Sequence, residues 1–152
     1  MRRNVLMAGA LALVLAVPAA NAQDKPNFSG TWNRVTDPNA APTGGRGGGR
    51  GGIGMTATIT QDAKTLTITR TTQNGEVKTV YNLDGSDSKN MAGRAGQQTE
   101  QVSNAKWDGN KLVITTKTAN GDRVSSWYLE GGELVQETQG QNGAVKIYYK
   151  KG

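Results

Sequence analysis

The chain has 152 residues, with 18 Lys and Arg against 12 Asp and Glu, and it contains neither cysteine nor histidine. Lacking cysteine, it can form no disulfide, thiol nucleophile, thiolate metal site or lipid-modified cysteine behind a leader. Lacking histidine, it also has no ordinary base near neutral pH, no imidazole metal ligand and no Ser-His or Cys-His triad.

Arg2 and Arg3 precede an uncharged apolar run from Val5 to Val17, which ends at Pro18 and is followed by Ala20-Asn21-Ala22. A charged start, a short apolar stretch and an A-x-A site read as a signal peptide over residues 1–22, cleaved after Ala22. The run falls short of the ~20 apolar residues that span a membrane, so no integral membrane anchor is expected, and the protein is placed in the periplasm or outside the cell. Removing the leader lowers the net charge from +6 to +4. That excess is scattered and specifies no nucleic acid or other polyanion.

Residues 23–152 read as a single all-β domain. Runs rich in Thr, Val, Ile and Tyr are punctuated by Gly and Asn, and no stretch carries a capped helical period. The first strand is expected over Phe28 to Val35. Residues 40–54 follow as a Gly-rich flexible loop holding Arg46 and Arg50, too few and too free of aromatics to read as a nucleic-acid segment. Met55 to Gln61 alternates apolar and polar, as do Leu66 and Ile68 among threonines, which is the pattern of half-buried strands. Asn74-Gly75 predicts a type I′ hairpin turn, which needs positive φ at both residues. Glu76 to Leu83 returns, Asp84-Gly85 turns, and the polar stretch Ser86 to Gly96 has no defined period. Further strands are expected over Gln97 to Trp107, Lys111 to Ala119, Asp122 to Leu129, Glu133 to Gln139 and Ala144 to Lys150.

An internal echo runs through this pattern. Leu66-x-Ile68 stands eight residues before Asn74-Gly75, Leu112-x-Ile114 eight before Asn120-Gly121, and Leu134 eight before Asn142-Gly143. Repeated strand–hairpin–strand units of this kind make a meander. With so many short strands, closure removes the exposed edges. The expected fold is therefore an antiparallel up-and-down meander closing into a small barrel of about 8–10 strands. Strand lengths near seven and Thr-heavy faces give no lipid-facing apolar band of the outer-membrane kind.

The opening Asn27-Phe28-Ser29-Gly30-Thr31-Trp32-Asn33 resembles the first strand of the calycins, the superfamily of lipocalins and intracellular fatty-acid-binding proteins. Trp107-Asp108-Gly109-Asn110-Lys111-Leu112 and Val145-Lys146-Ile147-Tyr148-Tyr149-Lys150 are similar to their later hairpins and last strand. The chain also resembles uncharacterised exported bacterial β-proteins sharing the Gly-Thr-Trp start, the Leu83-Asp84-Gly85 turn and a Trp-Asp-Gly turn. The resemblance spans most of residues 27–151. It implies a barrel with Trp32 plugging one end and a small hydrophobic or amphiphilic ligand inside. It departs where fatty-acid-binding proteins insert two helices, since the Gly-rich stretch stands there. It departs again at their Arg-x-Tyr carboxylate anchor, where this chain has Lys146 and Tyr148.

Candidate lining residues are Trp32, Trp127 and Tyr149, with Lys146 and Tyr148 as a polar anchor. Alternation assigns Val145, Ile147 and Tyr149 to the apolar face, which turns Lys146 and Tyr148 outward unless a bulge intervenes. Asp84-Gly85-Ser86-Asp87-Ser88 has too few oxygen ligands at fixed positions for a calcium loop and reads as a hydrogen-bonded turn. No catalytic set, metal site or cofactor is expected. The function expected is that of an exported binding barrel, not an enzyme. The alternative is a non-enzymatic envelope or interaction protein whose barrel is filled, and interior volume separates the two.

Overall fold

The computed structural model describes residues 24–36, 52–94, 96–140 and 143–152. The expected signal peptide and most of the Gly-rich stretch, with Arg46 and Arg50, lie outside them. The described residues form ten strands and no helix: β1 (Gly30–Arg34), β2 (Thr56–Gln61), β3 (Thr65–Thr72), β4 (Gly75–Asn82), β5 (Asp87–Arg94), β6 (Gln97–Asp108), β7 (Lys111–Thr116), β8 (Arg123–Glu130), β9 (Glu133–Gly140) and β10 (Gly143–Lys151). Sequence neighbours pair antiparallel throughout, except across β4 and β5. The first and last strands pair with each other, giving the order β4-β3-β2-β1-β10-β9-β8-β7-β6-β5. The result is one meander curled into a nearly closed barrel.

Residues directly opposite in an antiparallel ladder share a face, so the register decides what points inward. Trp32 lies opposite Ala57 and Lys151, Ile59 opposite Ile68, Leu66 opposite Tyr81, Leu112 opposite Trp107 and Trp127, and Leu134 opposite Tyr149 and Leu129. Most of these are buried, and they form the core together with Phe28, Ile53, Leu83 and Ala105. Phe28 stacks on Trp107 at 5.8 Å and meets Trp127 edge-on at 6.5 Å, while Trp127 meets Tyr81 edge-on at 6.4 Å. Offset and edge-on contacts are the favoured arrangements of aromatic rings. The Trp32 indole donates to the Phe28 carbonyl at 2.7 Å, so burying this ring leaves no orphan donor.

Two expectations are corrected. Asn74-Gly75 does not form a type I′ turn. Thr72 pairs with Gly75, so the two loop residues are Gln73 and Asn74. No described non-Gly residue has positive φ, whereas Gly75 stands at +109°. Glycine adopts that region without the steric penalty Asn would meet, so the left-handed step moves one residue on. The hairpin at Gly131-Gly132, joining paired Glu130 and Glu133, has positive φ at both loop residues. The second correction is that Ser86 to Gly96, which has no defined period, contains strand β5, paired along its whole length with β6. The turn before it is as expected: the Asp84 carboxylate accepts from the Ser86 amide at 2.8 Å and the Ser86 hydroxyl at 2.6 Å.

Candidate functional site

Odd-numbered strands run one way and even-numbered strands the other. The inward residues of β3 read Leu66, Ile68, Arg70, Thr72, and those of β7 read Leu112, Ile114, Thr116. Those of β9 read Leu134, Gln136, Thr138, and those of β8, running back, read Arg123, Ser125, Trp127, Leu129. On these strands the starts of the odd ones and the far ends of their even neighbours are apolar, and the opposite end is polar. The barrel is accordingly packed at one end and hollow toward the other.

The hollow is a cavity of about 520 Å³, within the ~300–1,000 Å³ typical of small-molecule sites. Ile68, Ile114, Tyr81 and Trp127 supply its apolar wall, and Arg70, Arg123, Thr116, Ser125, Asn90 and Gln101 are among its polar ones. Arg70 on β3 is half-buried and Arg123 opens β8, exposed. No ion pair to either is found among the described residues, whose salt bridges all involve lysines. Burial pushes the Tyr81 phenol above its ordinary value, and Arg70 and Arg123 both pull it back, so the two guanidinium groups act on one point of the lumen. The Trp127 indole N–H is buried and finds no acceptor among the described residues.

The described end of the Gly-rich stretch belongs to this site. Ile53 is buried in the core and, with Gly52, lines the cavity. The Ile53 amide donates to the Tyr149 hydroxyl at 3.1 Å. Burial raises the Tyr149 phenol, opposed by that hydrogen bond and by Arg34 and Arg70.

Of the residues singled out in the sequence, Trp127 lines the cavity. Trp32 and Tyr149 are fully inside the packed core, Tyr149 reaching the site through Ile53. The register puts Lys146 opposite Glu137 and Tyr148 opposite Val135, on the outer face with Tyr128, since Tyr128 is also opposite Val135. There the Lys146 ammonium stands 3.9 Å from the Glu137 carboxylate and 5.9 Å from the Tyr128 ring. No bulge interrupts β10 to turn these side chains inward. Arg70 and Arg123 escaped the sequence reading, although a signal was present: counting by two from Leu66 reaches Arg70, and counting back by two from Trp127 reaches Arg123. Among the described residues no three acidic side chains converge as a metal site would need.

The ten-stranded, nearly closed barrel is a fold shared with solved structures. Similar solved structures include zebrafish ileal bile acid-binding protein complexed with cholic acid (18% identity, TM-score 0.55, covering 82% of this chain and 98% of that one). The REP1-NXSQ fatty acid transporter (15%, 0.57, 82% and 95%) and a mutant of the fluorescent protein UnaG (18%, 0.58, 82% and 96%) are similar to the same extent. No protein-family model and no curated protein sequence matches the chain.

Proposed function

We propose that the protein is an exported binding barrel that holds a small amphiphile with an anionic group. The observation that carries this reading is the hollow half of the barrel, apolar at its floor and furnished with two guanidinium groups without carboxylate partners among the described residues. An apolar body would lie against Ile68, Ile114 and Trp127, and the anionic group would meet Arg70 and Arg123. Arginine is suited to this because its planar fork matches carboxylate, sulfonate and phosphate oxygens. Support at the level of fold comes from neighbours whose names include bile acid binding and fatty acid transport. Export rests on Arg2, Arg3, the Val5–Val17 run and the Ala20-Asn21-Ala22 site.

The test is a titration of delipidated residues 23–152 with 8-anilinonaphthalene-1-sulfonate, followed by competition with a fatty acid and with the alcohol of the same chain length. The fatty acid should compete better. Arg70→Gln and Arg123→Gln should each weaken it by roughly tenfold, the scale of one hydrogen bond to a charged group, while leaving the alcohol unchanged. Equal loss for acid and alcohol removes the anionic part of the proposal. Failure of every amphiphile to bind removes the carrier reading and favours a barrel that works through its surface. Export is checked by recovering the protein from outside the cytoplasm with Gln23 as its first residue.

A further inference from the structure

Nine of the ten strand junctions are continuous backbone ladders, and the tenth is not. β4 and β5 are the two ends of the sheet, and side chains of β5 join them. Asn90 accepts from the Val80 amide at 2.8 Å and donates to the Val80 carbonyl at 2.8 Å. One step nearer the packed end, the Ser88 hydroxyl accepts from the Asn82 amide at 2.7 Å, and the Asn82 side chain donates to the Asp87 carbonyl at 3.1 Å. Beyond Asn90, toward the polar end, no hydrogen bond crosses the seam among the described residues. Ala92 has no side chain that could make one, and Lys78 pairs instead with Glu76 on its own strand. The cavity extends to this stretch, where Glu76, Met91 and Gly93 are among its lining residues. Val80 and Met91, 38% and 53% exposed, flank the seam on its outer side. At the polar end beside β10, by contrast, Ile53 is buried and bonded to Tyr149, so passage there requires a core side chain to leave.

The geometry points to a lateral entrance: small amphiphiles pass into and out of the lumen through the side wall between β4 and β5, and Asn90 is the latch that holds that wall shut. The inference rests on the proposal that the lumen binds amphiphiles. Its physical basis is that openings follow the weakest cooperative boundary, and a seam held by a few side-chain hydrogen bonds is weaker than the ladders around it. Val80 and Met91 give an apolar tail a first contact beside the gap.

Because the chain has no cysteine, a single introduced thiol reports access to the lumen without any ligand. Ser103 is buried and lines the cavity, and Ser103→Cys is its reporter. Adding Asn90→Ala should raise the rate of maleimide labelling by roughly tenfold, as expected when two hydrogen bonds holding a local opening are lost. Asn90→Asp, which keeps the acceptor for the Val80 amide and loses the donor to its carbonyl, should fall between and covers the case in which the alanine variant does not fold. In a second protein carrying Lys78→Cys and Lys89→Cys, both exposed on the outer face and outside the cavity lining, a flexible bis-maleimide spans the seam. It should slow association of 8-anilinonaphthalene-1-sulfonate about tenfold while leaving its equilibrium affinity unchanged, since blocking a path changes rates and not end states. Unchanged labelling in both Asn90 variants, or an unchanged association rate after cross-linking, overturns the lateral entrance. If the sulfonate does not bind at all, the carrier reading fails by itself, and the thiol measurement still decides the path.

Discussion

Gly52 shows how one missing side chain shapes the site. A Cβ at this position would stand 2.5 Å from the Tyr149 hydroxyl and 3.3 Å from the Ile147 side chain. Gly52→Ala should therefore push the segment off Tyr149, break the Ile53–Tyr149 hydrogen bond and lower stability by about 1–3 kcal/mol, the usual effect of overpacking. Denaturant unfolding measures it. Tyr149 and Tyr81 carry a second prediction. Burial raises both phenols above their ordinary value of 10.0, so folding favours their neutral form. That contribution is whole below the unfolded-state value and is lost as pH climbs through the folded-state values. The denaturant midpoint should hold below the ordinary value of 10.0 and fall as pH rises above it, and replacing both residues by Phe should flatten the fall. A midpoint that drops just as steeply in the double variant assigns the effect to lysines instead.

The repeated unit carries both the core and the lumen. Leu66, Leu112 and Leu134 each open the inward face of an odd strand and are 0–1% exposed, while the residues four or six positions on, such as Arg70, Thr72, Thr116 and Thr138, are polar. Leu66→Ala or Leu112→Ala should cost about 2–5 kcal/mol through lost burial and an unfilled void. Thr72→Val, at the polar end of the same face as Leu66, should cost only about 0.5–1.5 kcal/mol, the net scale of the hydrogen bond its exposed hydroxyl donates to the Gly75 carbonyl. Thermal or chemical unfolding of the three variants compares the two ends of the barrel directly. The same gradient explains what could be read from the sequence. Strands with an apolar residue at every second position were legible, because alternation is the signature of a half-buried strand. β5 was not, because its inward residues Ser88, Asn90 and Ala92 serve the seam and the cavity and offer no apolar face. The Arg70–Arg123 pair was hidden for a related reason: an arginine on a strand reads as a solvent-facing residue until the register is known. The turn at Gly75 was misplaced by one residue because an Asn-Gly pair fits two hairpin geometries, and only backbone conformation separates them.

At the scale of the molecule, the register of β1 against β10 closes the barrel. Trp32 lies opposite Lys151, the Gly152 amide donates to the Thr31 carbonyl at 2.9 Å, and Val35 donates to the Tyr148 carbonyl at 2.8 Å. Among the described residues this is the single ladder formed by distant parts of the chain; every other ladder there joins successive strands. The two ends of the folded domain therefore lie side by side, and the covalent order is one of several that would give the same set of neighbours. A variant ligated head to tail through a short flexible linker and reopened at the exposed Gly131-Gly132 hairpin would turn the one long-range pairing into a local one. Since distant pairings are the slow ones to form, that permuted chain should refold faster than the parent while showing the same far-ultraviolet spectrum. A permutant that folds no faster would place the slow step at some junction other than the one that joins the beginning of the domain to its end.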